Sequence, residues 1–343
     1  MWLLILSIRK IELHLLYHFC ILYDYMRLDS ALQDILKISR SQASKWIELN
    51  LIKVNGKVAK KSQFINKKSV LQVYANELES LQNDYEMQAK KLHIEVIHET
   101  NDYVIFNKPR NLVVHHAPSV KEVTLTDYLQ ANNYQCSTIN GELRFGIVHR
   151  LDKDTSGAIL IAKNNASHIH FSQMLQNRTM GRIYICIINK PLQSNVVVEC
   201  FMGRNPNNRL KMAKLDKARF PNARDSKSEF RKIMDSDNGL FELIGVRLFS
   251  GRTHQIRLHL STLQRYIYGD TLYSPHNLSQ TYKTKMLLHA KLLYFEGNVF
   301  SAKIPKDLVK FLEENFNDYQ NKLESTLSQW QNELKHLDSK DSK

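Results

Sequence analysis

Between about His93 and Pro305 the chain scatters short β-rich runs (YVIF, AILIAK, RIYICII, FELIGVRLF and LLYFEG) among helical segments, without the regular strand and helix alternation of a parallel sheet. This pattern predicts an α+β domain built on a largely antiparallel mixed sheet. With 343 residues the chain has room for one such core and a small accessory module. Its 43% apolar and 24% charged residues are those of an ordinary soluble globular protein.

The charge balance is less ordinary. A net charge of +14 and a pI near 9.4 set up a field that attracts polyanions, with nucleic acid or an anionic membrane surface as the usual candidates. Four cysteines (Cys20, Cys136, Cys186 and Cys200) stand far apart, with no C-x-x-C pair and no histidine at zinc-finger spacing. Reduced, mostly buried thiols in a cytoplasmic protein are expected. The N-terminus is apolar, but Arg9, Lys10, Glu12 and His14 interrupt it well short of the ~18 uncharged residues of a membrane span. Residues 1–25 are read as an extension or a misassigned start, with Met26 opening the functional module.

From Met26 the chain reads helix, helix, hairpin. Leu28, Leu32 and Ile35 to Leu36 fall at helical spacing, Ser39 can cap a second helix carrying Ala43 and Ile47 inward, and Asn50 suits its left-handed end. Ile52 and Val54 then run into Asn55-Gly56, the strongest short hairpin signal. Residues 26–75 hold ten Lys or Arg against three acidic residues, so half of the net charge sits on about a seventh of the chain. Any one such lysine is ordinarily a solvated face; it is the clustering that points to RNA. Residues 76–92 begin a stretch of reversed charge and read as a linker or boundary helix. Beyond Pro305, Leu308, Leu312, Phe316, Tyr319, Leu323, Leu327, Trp330, Leu334 and Leu337 recur about every 3.6 residues, predicting one long amphipathic helix over 306–343 that packs on the protein's own body.

The most informative segment is GIVHRLDKDTSGAILIAK, residues 146–163, an apolar strand start, a polar turn holding Asp152, and a second apolar strand. A turn between buried strands is a place to present a reactive side chain, although from physics alone Asp152 and Asp154 would read as turn-formers. The string H-R-L-D-x-x-T-S-G resembles the central motif of the RluA/RluD-type pseudouridine synthases. GRIYICII (181–188) resembles that family's second motif and SGRTHQIRLHL (250–260) its third, while FNKPRNLVVH, YGDTLYSP and LLHAKLLYF match more weakly in the same order. The first module resembles an α-L (S4-like) RNA-binding domain over 26–75, and the catalytic domain would span 93–305.

This resemblance implies an isomerase that converts uridine to pseudouridine in structured RNA, with Asp152 as nucleophile, Tyr184 stacked on the base and Arg257 paired with Asp152. It further implies RNA contacts from Arg40, Lys45, Lys53, His149, Arg150, Arg182 and His254, no cofactor, no metal and a monomer. Arg182 stands where the family has lysine, and Lys108-Pro109-Arg110-Asn111 replaces K-P-x-G, with Asn tolerating the same positive φ. The expected His-Pro after L-H-A is Gly297-Asn298, and Gly-Asp is missing before Val70. Ribosomal RNA of the large subunit is the expected partner and transfer RNA the alternative.

The residue types suit the reaction. A carboxylate beside an arginine stays ionised and can attack either the anomeric ribose carbon or uracil carbon-6, and a bidentate Arg257–Asp152 pair would aim it. Tyr184 offers a flat ring and a hydroxyl that could help remove the carbon-5 proton. The nucleotide must leave its stack, and the stretch 204–232, with ten Lys or Arg against three acidic residues, either grips the backbone or is a disordered basic insertion. Among rivals, a zinc enzyme lacks H-E-x-x-H, and His254 and His259 sit five apart on different helical faces. An RNA-binding assembly factor that has lost catalysis would not need Asp152, Tyr184 and Arg257 together.

Overall fold

The computed structural model describes residues 25–338 apart from 37, 39, 118–119, 121, 140 and 142–143. The described residues up to Leu92, joined by His115–Val123, form one compact unit. His93–Val114 and the chain from Thr124 onward form the other.

The first unit runs β1 (Met26–Arg27), α1 (Leu28–Leu36), α2 (Arg40–Glu48), β2 (Ile52–Val54), β3 (Lys57–Val58), β4 (Phe64–Ile65), β5 (Leu71–Val73) and α3 (Ala75–Lys90). Leu28 and Leu32 of α1 meet Ala43 and Ile47 of α2 in one buried cluster with Ile52 and Val54, so the helical spacing and the strand alternation converge on the same core. Ser39 lies outside the described residues. Asn50 follows α2 at φ 60°, while Asn55 and Gly56 at φ 52° and 78° make the two-residue turn that pairs β2 with β3. Asp29 is buried in the first turn of α1 and bridged by Arg27 at 3.0 Å and Arg40 at 2.8 Å. Burial alone would raise its carboxyl, but hydrogen bonds from Arg40 and then Arg27 outweigh it and hold the group below its ordinary range.

The second unit opens with β6 (Glu95–Glu99), β7 (Tyr103–Lys108), α4 (Leu125–Ala131), β8 (Ser156–Ala162), α5 (Asn165–Asn177) and β9 (Gly181–Asn189). It continues through β10 (Val196–Arg204), β11 (Met212–Lys214), β12 (Arg224–Asp235), β13 (Phe241–Leu248), α6 (Gln255–Thr262), β14 (Tyr266–Ile267) and α7 (His276–Ser279). β15 (Leu288–Phe295), β16 (Asn298–Ser301), α8 (Lys306–Asn315) and α9 (Tyr319–Asp338) complete it. One sheet takes the order β11-β10-β12-β13-β9-β15-β8-β7-β6, with β14 added to β9 and β16 to β15. Its strand pairings are antiparallel except β8 against β15, so the α+β mixed sheet expected from the strand pattern is the observed architecture. β8 is buried along its whole length, which is why its sequence reads as a continuous apolar run. At its start Gly157 sits at φ 116° directly against the Ala290 backbone of β15, leaving no room for a Cβ.

Two expectations need correction. The basic stretch 204–232, for which a disordered insertion is one of two readings, carries the end of β10, all of β11 and most of β12, joined by turns. β10 pairs with β11 and β12, and along β12 the buried Ser226, Ser228 and Phe230 alternate with the charged Lys227, Glu229 and Arg231, a period of two that the charge density conceals. The C-terminal segment is two helices. Phe316 is extended at φ −140° and Asp318 left-handed at φ 58°, and Asn317 N–H donates to Asp237, so the chain breaks where its side chains compete for backbone groups. α9 lies on the sheet through Leu323, Leu327 and Trp330. The Trp330 ring occupies the space a side chain at Gly245 would fill, with the Arg231 guanidinium 4.9 Å from its centroid. Truncating such a residue costs about 3–5 kcal/mol.

Candidate active site

Asp152 lies in the turn that enters β8, where Thr155 N–H donates to its carbonyl at 3.1 Å. The strand expected before this turn reduces to a single bridge from Ile147 to Ile161. Two buried side chains hold the turn instead. Lys108, the last residue of β7, donates from Nζ to the carbonyls of Pro109 (2.8 Å), Leu112 (2.8 Å) and Lys153 (3.2 Å), so it pins the peptide just beyond Asp152. Its burial pulls the ammonium down to about 7 against the pull of Asp152 and Asp154. His149 accepts the Leu160 N–H on Nε2 at 3.0 Å, and burial followed by the nearby Arg182 depresses it to about 3. It is a neutral strut of the fold, and its acceptor nitrogen is spent on β8 rather than offered to RNA.

The cleft above this turn is lined by Asp152, Tyr184, Arg257, Arg150, Arg182 and His254, together with the Gly251–Ile256 backbone turn. Tyr184 comes from β9 and is buried; burial raises its phenol, so the cleft receives a flat ring and a protonated hydroxyl rather than a phenolate. Arg182, two residues earlier, is also buried, with an Nε–H that has no partner among the described residues. Arg150 is exposed at the rim. Gln255 anchors the opposite wall, its Oε1 accepting from Arg252 N–H and Ser250 Oγ–H while its Nε2 donates to Lys227 O and Ser228 Oγ. That anchorage holds His254 at φ 55° ahead of α6 and puts Arg257 in the first helical turn.

The Arg257 guanidinium does not grip Asp152 with both arms, as a bidentate pair would require. Its fork closes on Asp270, with Nε to Oδ2 at 2.7 Å and Nη2 to Oδ1 at 2.8 Å, and only Nη1 reaches toward Asp152 Oδ2 at 3.5 Å. Asp270 wins because it is the more deeply buried carboxylate and is preorganised by the Leu272 and Tyr273 N–H groups at 3.0 and 3.1 Å. Burial works against the Arg257 charge, but Asp270 and then Asp152 more than offset it, so its pKa is raised. His254 presents Nε2 to Asp152 Oδ2 at 3.8 Å, and burial lowers its pKa, leaving a neutral imidazole near pH 7.

Six of the residues expected at the site therefore meet in one cleft. His149 lies behind it. Arg40 and Lys53 belong to the first unit, where Arg40 is half exposed while bridging Asp29 and Lys53 Nζ stands 5.2 Å over the Tyr74 ring. Lys45 is on α2, its side chain outside the described set. Asp270, Tyr273 and Lys108 also shape the site through their contacts, although the sequence marks them only as parts of YGDTLYSP and FNKPRNLVVH. A lone acid in an otherwise uncharged turn, and a lysine ending an apolar strand, are the signals that mark them.

Residues 102–262 match the RNA pseudouridylate synthase family, and residues 26–70 match the S4 domain. Over 309 residues the chain is 43% identical to an RNA pseudouridine synthase of Helicobacter pylori, across 87% of this chain and 92% of that one. This chain belongs to the RNA pseudouridine synthase family. It is also 32% identical over 316 residues to the ribosomal large subunit pseudouridine synthase D of Haemophilus ducreyi, across 86% of this chain and 92% of that one. The solved structure of human RNA pseudouridylate synthase domain containing 4 shares the fold, with 23% identity and a TM-score of 0.53 over 68% of this chain and 97% of that one. The protein is thus an RNA pseudouridine synthase of the RluA type with an N-terminal S4 domain, an isomerase acting on RNA.

Proposed function

We propose that Asp152 is the nucleophile of this isomerase, that Tyr184 stacks on the target uracil, and that Arg257 steadies the Asp152 carboxylate during the reaction. The observation that carries this is their convergence on one cleft with Arg150, Arg182 and His254 around it. The carboxylate attacks ribose carbon-1′ or uracil carbon-6, the bond from carbon-1′ to nitrogen-1 breaks, the uracil turns within the cleft, carbon-5 bonds to carbon-1′, and the bond between Asp152 and the substrate breaks to return the free carboxylate. Carbon-5 loses a proton and nitrogen-1 gains one, so the product is an isomer and no co-reactant is consumed. Arg182 and His254 supply hydrogen-bond donors to the turning base, and Arg150 at the rim meets the backbone that flanks it.

Large-subunit ribosomal RNA is the substrate we favour. Two features support it, the S4 module with half of the net charge and the naming of relatives in Haemophilus ducreyi and Vibrio vulnificus for the large ribosomal subunit. The unpaired thiols Cys136, Cys186 and Cys200 accord with a cytoplasmic location. Tritium release from RNA carrying 5-tritiated uridine tests the chemistry. Asp152→Asn should bind RNA as wild type does and release tritium roughly a thousandfold more slowly or worse, whereas activity within about tenfold of wild type removes Asp152 from the nucleophile role. A wild-type protein that binds RNA and releases no tritium would be the assembly factor instead. Pseudouridine mapping in cells with and without the gene separates ribosomal from transfer RNA.

A further inference from the structure

Tyr273 occupies a position that the reaction scheme leaves unused. It follows the Asp270 turn, is nearly buried, and touches three different parts of the unit. Its ring lies 5.0 Å from the Arg257 guanidinium carbon, on the arginine that Asp270 holds in its fork. Its hydroxyl oxygen accepts the Met212 N–H at 2.7 Å, and Met212 opens β11, the edge strand that pairs with Arg204 of β10. The same hydroxyl stands 3.2 Å from His254 Nδ1.

These contacts fix a proton. Burial raises the Tyr273 phenol to about 12, so the hydroxyl keeps its hydrogen, and with Met212 donating to its oxygen the hydrogen is free to point at His254 Nδ1. A neutral imidazole that accepts on Nδ1 carries its own hydrogen on Nε2. Nε2 is the nitrogen that faces the Asp152 carboxylate. The opposite tautomer would turn a lone pair toward that carboxylate.

We propose that Tyr273 is a positioning residue that links the basic β10–β11 hairpin to the reaction centre, its hydroxyl holding His254 in the tautomer that presents Nε2–H to Asp152 and its ring seating Arg257. The hairpin carries exposed cations, Arg204, Arg209 and Lys214, so a phosphate backbone seated on it bears on Met212 and, through Tyr273, on both groups that face Asp152. RNA engagement at the edge of the sheet is thereby coupled to the geometry of the cleft. This inference rests on the reading of Asp152 as the reacting carboxylate.

Tyr273→Phe keeps the ring under Arg257 and deletes the hydroxyl. The histidine ring nitrogens of the full-length protein, read by nitrogen-15 NMR without RNA, should show His254 as the Nε2–H form in wild type and as a mixture of tautomers in the variant. With in vitro transcribed large-subunit ribosomal RNA, the single-turnover rate at saturating RNA should drop about tenfold while Kd stays put, the mark of lost positioning rather than lost binding. Neutralising the hairpin with Arg209→Ala and Lys214→Ala should slow turnover at saturating RNA in wild type and have a smaller effect in the Tyr273→Phe background. An unchanged nitrogen spectrum, an unchanged rate, or hairpin and Tyr273 effects that simply multiply would each overturn the coupling. Activity retained by Asp152→Asn would instead overturn the underlying reading, and the RNA-free spectrum is unaffected by that result.

Discussion

The two units carry their ionisable groups in opposite ways. In the first, cations stand at the surface. Lys57, Lys60, Lys61, Lys67 and Lys68 are exposed and Arg40 remains half exposed even while bridging Asp29. In the second, the groups that matter for the cleft are out of water: Lys108 is fully buried in a cage of carbonyls, Arg182 is buried in the cleft wall, and Arg257 is held by Asp270. An exposed cation acts through its field and through the counterions it releases from RNA, so its exact position matters little. A buried group acts through direction, since at short range in a dry site a displaced hydrogen bond is a lost one. Composition is therefore the readable feature of the first unit, and geometry that of the second.

The widest separation between the units should come from acid. His149, His259 and His289 are all buried in the second unit, and burial depresses them to about 3, about 4 and about 3. Residues 26–92 contain no histidine, and the described histidines of the first unit are His115 and His116 on its 115–123 segment. Because these folded values lie below the ordinary histidine value near 6.5, the stability they contribute is complete above that pH and is lost as pH falls toward the folded values. With three protons taken up on unfolding, the loss reaches up to about 4 kcal/mol per pH unit once the unfolded histidines are charged. Segment-resolved hydrogen exchange at pH 7, 6 and 5 should show protection falling through the second unit while residues 26–73 hold theirs. Equal loss in both would erase the contrast.

A smaller effect, but a sharper one, attaches to Arg257→Lys. Charge is kept, yet an ammonium cannot close a fork on Asp270 and still extend an arm to Asp152, so it will settle on the more buried carboxylate. Single-turnover rates should fall on the order of a hundredfold, about 2.7 kcal/mol, with RNA affinity little changed. A rate within threefold of wild type would mean that this buried cation works as a point charge, like those on the surface of the S4 unit.

What could be read from the chain follows the same division. The helix, helix, hairpin order of the first unit rests on local signals, Leu28 and Leu32 at helical spacing and Asn55-Gly56 at a turn that needs two positive φ values, and each signal names its own structure. Asp152, Tyr184 and Arg257 were legible by resemblance, since their motifs are contiguous strings. Asp270 was not, because its partner lies thirteen residues away on another element and nothing in YGDTLYSP announces a fork. The break at Phe316–Asp318 was hidden for a related reason: Phe316 is buried in the position a continuous helix would also give it, so the apolar period runs through a backbone that does not. The strands of 204–232 were masked by charge on one face of a pleat whose other face is small and polar, Ser226 and Ser228, rather than apolar.

The smallest expected effect belongs to Lys53→Ala in the S4 unit, and it tests the other half of the comparison. Lys53 sits on β2 beside the Asn55-Gly56 turn with its ammonium 5.2 Å over the Tyr74 ring, an arrangement that orders the side chain without withdrawing its charge. If it meets a phosphate, its loss removes one released counterion, so the slope of log affinity against log salt should fall by about 1 and affinity by a few-fold, uniformly across RNA sequences. Turnover at saturating RNA should not change, because a field has no direction to lose. Filter binding across a salt series, paired with single-turnover rates on the same RNA, reads both quantities. A drop in the saturated rate would show that a half-buried lysine of the first unit is positioned as tightly as Arg257, and an unaltered salt slope would show that it faces water.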